Sequence, residues 1–327
     1  MTNMTLATLE RDVEHFLEFK RAMGYTYRRA EFTLESLKRF AHAQKSGSAW
    51  RDGSRIDLAE TIRAWLSRSE GRKANSIAAE LGVARQLCLY RRRHDPKAFV
   101  PDRAWAPKSR LPYMPYIFSR SEVSGLLAAA ENYRHARVGP GAMRILLLIL
   151  YCTGLRFGEA VRLRRADVDL ARCTFFIRES KGRSRYVPFG TDLAREITRW
   201  LTEREQIAHL TGRAETDALL LRDDGSVLDV KRAGEAVTCL VRLQGLKPSR
   251  GRNGPRPYDW RHTHAVHRLT DWYRRGVDIH ARLPWLSAYM GHLNVLGTAV
   301  YLHATPDLLH MASRRLKRRL HLAESRA

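Results

Sequence analysis

Cysteine is scarce in this chain, and the four present, Cys88, Cys152, Cys173 and Cys239, keep no C-x-x-C spacing. A disulfide framework and a cysteine-ligated zinc site are therefore not expected, and the composition suits a reducing compartment. Long apolar runs are missing as well. The longest, residues 145–152, falls far short of the ~20 residues a helix needs to cross a bilayer. The first residues, MTNMTLATLERDVEHF, lack an apolar signal core, so a soluble, cytoplasmic protein with no membrane partner is expected. Negative charge is the third shortage: 34 Asp and Glu face 58 Lys and Arg, a net charge of +24.

The basic excess is not confined to a tail, since residues 1–110 hold 22 basic and 13 acidic side chains and the remainder 36 and 21. Neutralising a polyanion releases counterions, so nucleic acid is the natural partner. A self-repelling soluble protein or a membrane-surface binder also fits charge alone. With 44% hydrophobic residues the chain can build real cores, and 327 residues suffice for two domains.

The first third reads as helices. Leu6, Leu9, Val13, Phe16 and Leu17 recur at three-to-four spacing and stop near Gly24. Phe32, Leu34, Leu37, Phe40 and Ala41 mark a second helix, Leu58, Ile62, Trp65 and Leu66 a third, and Ile77, Leu81, Ala84, Leu87 and Leu89 a fourth. The fourth ends in Arg91, Arg92 and Arg93, which suit the negative end of the helix dipole and would equally contact phosphate. Five prolines between Pro96 and Pro115 predict an extended basic connector. The expected layout is a helical domain over 1–100, a linker over 101–117 and a second domain over 118–327. Ser119 and Glu122 have capping-box spacing and open the first helix of that domain.

Four patches there carry chemistry. In YCTGLRFGEAVRL a helix stops at Thr153-Gly154 and another starts near Arg156, placing a phosphate-matching guanidinium at a helix N-terminus, with Glu159 able to hold it. In TFFIRESKGRSRYVPFG a β-hairpin is predicted, with residues 181–184 as its turn and Lys181 near its tip; Arg183 and Arg185 flank it as candidate DNA contacts. Taken alone, Lys181 is an ordinary turn lysine. In RPYDWRHTHAVHRL, Arg261 follows Tyr258 by three at a helix start. His262, His264 and His267 lie at i, i+2 and i+5, which diverge on a helix, so they read as packing or surface residues rather than metal ligands. In LPWLSAYMGHLNVLGTAVYLH, Pro284 is expected in a helix's first turn, Gly291 ends that helix, and His292 sits on the turn. Tyr301 lies nine residues on, in a second short helix. A phenol is a poor nucleophile near neutral pH unless positive charge stabilises its oxyanion.

The ordered set Arg156, Lys181, Tyr258-x-x-Arg261, Gly291-His292 and Tyr301 strongly resembles the tyrosine recombinase (phage integrase) family over residues 118–310. TGLRFGE is similar to that family's first arginine box, YDWRHTHA to its H-x-L-R-H-T-x-A box, and MGH with a tyrosine nine residues on to its last. The resemblance implies a mainly α fold with a small antiparallel β-sheet: a helical DNA-clamping domain followed by a catalytic domain. It implies a site-specific strand transferase that links Tyr301 to a 3′-phosphate, with Arg156 and Arg261 clamping the non-bridging oxygens. His292 would support the phosphate, and Lys181 would protonate the leaving 5′-oxygen. No cofactor or metal is implied. The implied partners are double-stranded DNA, three further copies of the chain in a tetramer, and accessory recombination proteins, in a nucleoid-associated location. The apolar Leu308, Leu309 and Met311 would dock on a neighbouring copy and residues 314–319 would meet DNA; a solvated basic helix is the competing reading.

Two departures stand out. Tyr258 occupies the place where the family usually has histidine, and a phenol does not exchange protons near pH 7 as imidazole does. The interval from Arg261 to His292 is long and resembles transposon-associated members. The alternatives are a DNA-binding regulator or excision partner with weakened cleavage, and a type IB topoisomerase-like enzyme. A metal-dependent nuclease lacks the necessary carboxylate cluster.

Overall fold

The computed structural model describes residues 3–45, 55–107, 114–134, 138–180, 183–213, 216–251, 253–292, 294–299, 301 and 313. The chain divides into two compact units, residues 1–113 and 114–327. Both are mainly helical, with small antiparallel sheets, and among the described residues no helix is long and apolar enough to cross a membrane.

In the first unit, strand β1 (Asn3–Thr5) leads into α1 (Leu6–Ala22), α2 follows (Arg28–Lys45), and strand β2 (Arg55–Asp57) leads into α3 (Leu58–Leu66) and α4 (Ala74–Arg92). The strands pair antiparallel, Met4 opposite Ile56, and each hands its last residue to the next helix as an N-cap. Thr5 accepts from the Thr8 amide and Asp57 from those of Ala59 and Glu60, satisfying donors that a helix start leaves open. Three-residue strands are too short for alternation to reveal, and this pair was not anticipated. Leu9, Val13, Phe16, Leu34, Leu37, Ile62, Trp65 and Leu87 form the core. Phe32, expected beside them, is 76% exposed: Leu34, Leu37 and Ala41 share one stripe, and a residue two places before Leu34 lies on the other side. The proline-rich stretch is not all connector. Residues 103–105 form a 3₁₀ turn, Trp105 packs on Phe99, and the Arg63 guanidinium lies 4.2 Å above the Trp105 ring.

The second unit opens with α5 (Arg120–Ala130), whose Ser119–Glu122 capping box is complete. Helix α6 (Pro140–Thr153) is apolar on nearly every side and forms the centre of the core, packed by α5, α8 (Thr191–Thr211) and α10 (Asp259–Arg274). Each fully buried Leu or Ile there contributes roughly 1.5–3 kcal/mol. Between α6 and α8 come the short α7 (Phe157–Val161) and an antiparallel sheet in the order β3 (Val168–Asp169), β4 (Thr174–Ser180), β5 (Arg183–Pro188). Ser180 pairs with Arg183, so Arg183 and Ser184 belong to the strand and not to the turn expected over residues 181–184. Helix α9 (Val230–Leu243) follows α8, while α11 (Ile279–Met290) and α12 (Leu296–Ala299) follow α10.

Helix α11 corrects the expectation for Pro284. The helix starts at Ile279 under an Asp278 cap, which leaves Pro284 in its interior. Pro284 has no N–H to give the His280 carbonyl, and burial of Ile279, Leu283, Leu286 and Met290 carries the helix across that gap.

Candidate active site

Four segments of the second unit converge on one cleft, and each is placed by local chemistry. Helix α6 ends at Gly154, whose φ of +60° lies in the left-handed region that glycine enters without strain. The close packing also requires glycine there, because a Cβ would lie 2.6 Å from Cδ2 of His264. Arg156 then becomes the N-cap residue of α7, and Glu159 reaches back to accept from its amide at 2.9 Å. Tyr258 is the N-cap residue of α10, which sets Arg261 in the first turn. Gly291, with φ +70°, terminates α11 and turns the chain into His292.

The end of α11 organises the site. The last carbonyls of a helix have no partners within it and carry the negative end of its dipole. Here three guanidinium groups supply the donors. Arg185 Nε donates to the Tyr289 carbonyl at 3.1 Å, Arg261 Nη2 to that of Met290 at 2.7 Å, and Arg156 Nη2 to that of Gly291 at 2.6 Å. Arg261 Nη1 donates in addition to the Gly154 carbonyl at 2.8 Å, joining the two turns. Arg261 is 1% exposed, and its Nε has no hydrogen-bond partner among the described residues. Burial pulls its pKa below the ordinary arginine value and nearby Arg156 acts in the same direction, yet a guanidinium starts so high that it stays charged. Glu159 is buried and shared. Its Oε1 accepts from Arg156 Nη1 at 2.6 Å, and both its oxygens accept the Arg185 fork, at 3.2 and 2.8 Å.

Tyr301 is 4% exposed and follows α12. Its ring stacks on that of His292, with centroids 6.2 Å apart, and meets His262 edge-on at 5.3 Å. Burial pushes its phenol up to about 12 and Tyr258 adds to that, against the opposing pull of Arg261 and Arg156. In the free protein the hydroxyl therefore keeps its proton, and the two arginines alone do not ionise it. His292 Nδ1 lies 2.6 Å from Oγ1 of the fully buried Thr298, which fixes the ring's orientation.

The expected residues thus divide. Arg156, Arg261, His292 and Tyr301 come together in this unit. Tyr258, 44% exposed, lines a cleft of about 510 Å³ with Arg156, Arg162, Arg164, Asp167 and Arg178. Lys181 lies outside the described residues, as do Leu308, Leu309, Met311 and residues 314–319 of the tail. Arg183 is exposed, but Arg185 is turned inward onto Glu159. In the first unit Arg91 is paired with Asp12 at 2.7 Å, Arg92 donates to the Ala98 carbonyl, and Arg93 lies over the Phe19 ring.

Three residues have places in the site that the sequence reading did not give them. His262 touches both Tyr258, at 5.1 Å between centroids, and Tyr301. The available signal was its i+4 position from Tyr258, which puts both rings on one helix face. Arg185, expected to meet DNA, binds Glu159 and the Tyr289 carbonyl instead, and Thr298 gave no signal, because their partners are distant or depend on a turn. His264 and His267 do pack as expected: His264 Nδ1 donates to the Tyr151 carbonyl at 2.8 Å, and His267 meets the Tyr151 hydroxyl at 3.0 Å.

Comparison with known proteins bears on the same stretch. The phage integrase family pattern matches residues 117–307. The protein y4rB of Sinorhizobium fredii, an integrase/recombinase by name, is 31% identical over 96% of this chain and 98% of its own length. Tyrosine recombinase XerD of Neisseria meningitidis serogroup B is 26% identical over 83% of this chain and 84% of its own. Among solved structures, the Tn1549 transposon integrase with transposon right end DNA superimposes with a TM-score of 0.66 at 17% identity, covering 96% of this chain and 100% of that one. XerH bound to its difH substrate gives 0.61 at 18% identity, over 92% and 82%. The family pattern spans all four segments that build the cleft, and the chain belongs to the phage integrase family of DNA strand-transferring enzymes.

Proposed function

We propose that the chain is a site-specific recombinase that cuts and rejoins double-stranded DNA through Tyr301. The observation that carries this reading is the convergence of two arginines, a histidine and a buried tyrosine from segments up to 145 residues apart. Tyr301 Oη attacks the scissile phosphorus, a Tyr301–3′-phosphate bond forms, and the bond to the 5′-oxygen breaks. Arg156 and Arg261 hold the non-bridging oxygens and stabilise the extra charge of the pentavalent transition state. Lys181 gives its proton to the departing 5′-oxygen. The phenol proton passes to the imidazole of His292 as the phosphate draws near. With the Tyr301 pKa near 12, attack awaits the bound phosphate and its proton acceptor. The new ester conserves the energy of the old one, so a 5′-hydroxyl of a partner strand reverses the step.

The basic first unit clamps the duplex, and four copies act on two duplexes with accessory recombination proteins. The likeness to the Tn1549 integrase in fold and the long interval before His292 favour movement of a transposable element. Tyr258 favours a slow enzyme, since its exposed phenol stands where imidazole would exchange protons. The test is a nicked suicide substrate, on which the wild-type chain traps a covalent adduct and Tyr301→Phe does not. An adduct that persists in Tyr301→Phe removes Tyr301 as the nucleophile. Salt-sensitive DNA binding with no adduct from the wild-type chain replaces the enzyme reading with that of a regulator.

A further inference from the structure

We infer that Arg185 is a positioning residue of the strand-transfer reaction, acting through Glu159 on Arg156 and through the Tyr289 carbonyl on the turn that bears His292. The inference rests on the recombinase reading given above.

One guanidinium on β5 joins three separate pieces of the site. Its Nη1 and Nη2 grip both oxygens of Glu159, on α7, and its Nε binds the Tyr289 carbonyl at the end of α11, 104 residues away. The side chain is 13% exposed and that of Glu159 5%, so solvent does little to loosen the pair. The backbone of the turn lies against the guanidinium, since a Cβ on Gly291 would come 2.8 Å from its Cζ. Arg156 uses the same carboxylate: its amide binds Oε2 and its Nη1 binds Oε1.

That sharing sets the charge that Arg156 offers. A carboxylate held by Arg156 alone would cancel its positive charge and draw its fork away from a substrate phosphate. Held by two guanidinium groups, the carboxylate leaves the trio with a net charge of about +1, and its position is fixed from the far side. Arg156 can then direct donors to the phosphate without losing its anchor. Arg185 also links strand β5 to the first arginine box and to the turn that bears His292. A lysine at 185 would retain the charge but not the fork, because its three donors radiate from one nitrogen.

The test compares wild type, Arg185→Gln and Arg185→Lys as full-length chains on two suicide duplexes. One carries a natural scissile phosphate; the other carries a methylphosphonate, which has no negative charge for Arg156 to clamp. Single-turnover adduct formation is read alongside DNA affinity and melting temperature. Arg185→Gln is expected to bind DNA within about 3-fold of wild type and to cleave the phosphate roughly 10–100-fold more slowly, as small displacements of reacting groups do. Arg185→Lys should recover part of the rate. On the methylphosphonate the deficit of both variants should shrink toward wild type. A deficit equal on both substrates, or full rate on the phosphate, overturns the inference. If Arg185→Gln does not fold, the two-substrate comparison on Arg185→Lys decides in the same way. A wild-type chain that forms no adduct at Tyr301 removes the recombinase reading itself, whereas an active wild type with unaffected variants removes only the role of Arg185.

Discussion

Replacing Gly154 by alanine tests how tightly the first arginine box is built. Two separate costs arise. An L-residue at φ +60° sits in the left-handed region, which costs about 1–2 kcal/mol. The new Cβ would also lie 2.6 Å from His264 Cδ2 and 2.9 Å from its Cγ. His264 cannot swing aside freely, being 4% exposed, stacked on Tyr289 and bonded to the Tyr151 carbonyl. Crowding of that kind costs about 1–3 kcal/mol more. The total, about 2–5 kcal/mol, corresponds for a unit of this size to a melting temperature lowered by roughly 4–20 °C. Gly276 supplies the control: its φ is +72° but nothing lies within 4 Å of a Cβ, so Gly276→Ala meets only the backbone cost. Denaturant titration of both variants, and of Gly154→Ala with His264→Ala added, separates the two costs. The second substitution should recover the crowding component and leave the backbone one. Because the Gly154 carbonyl holds Arg261 Nη1, Gly154→Ala should also slow adduct formation. The reasoning fails if Gly154→Ala destabilises no more than Gly276→Ala.

Three further outcomes are expected. Tyr258→His should raise the single-turnover cleavage rate near pH 7 by up to about 100-fold, the low end of general acid–base catalysis, and an unchanged rate would show that position 258 does not limit proton transfer. Burial holds His264 down to about 4 from its usual 6.5, so the unfolded chain takes up a proton first as pH falls. Stability should be lost from about pH 6.5 down to about pH 4, and urea midpoints of His264→Gln that show the same acid slope as wild type would refute this. Lys247, 7% exposed, donates through Nζ to the carbonyls of Asn253 at 2.7 Å and Pro255 at 3.1 Å, in the loop that leads into α10. Lys247→Met should destabilise by about 2–4 kcal/mol, because buried acceptors lose a charged donor; a melting curve within 1 °C of wild type would contradict that.

Much of this was legible in the sequence, and the parts that were not share a cause. Helices announce themselves through short-range periodicity, so α1, α3 and α4 could be read from their apolar residues, and the Ser119–Glu122 box from its spacing. Gly154 and Gly291 were readable as helix ends because a left-handed residue needs glycine. Pro284 misled because its local rule, a place in the first turn, yielded to the burial of Leu283, Leu286 and Met290 around it. Arg185 misled for the opposite reason. Its neighbours in sequence are a basic hairpin, which suggests DNA, while its partners in space are Glu159 and Tyr289. Nothing within ten residues of Arg185 states where its guanidinium will go. Thr298 and His262 were hidden in the same way, since each acquires its place only when α10 and the segment after α11 meet.

The three arginines on the end of α11 also fix when in the life of the chain the cleft can exist. Their bonds to that helix end join residues 135, 104 and 29 positions apart, and the bond from Arg261 to Gly154 spans 107. Contacts of such long range form late, after the entropy of closing large loops has been met by other packing. During synthesis, residues 289–291 leave the ribosome among the last of the fold, and Tyr301 later still. Until then Arg156, Arg185 and Arg261 have no helix end to grip. On the proposed reading, a half-made chain is already basic but lacks the arrangement that strand cleavage needs.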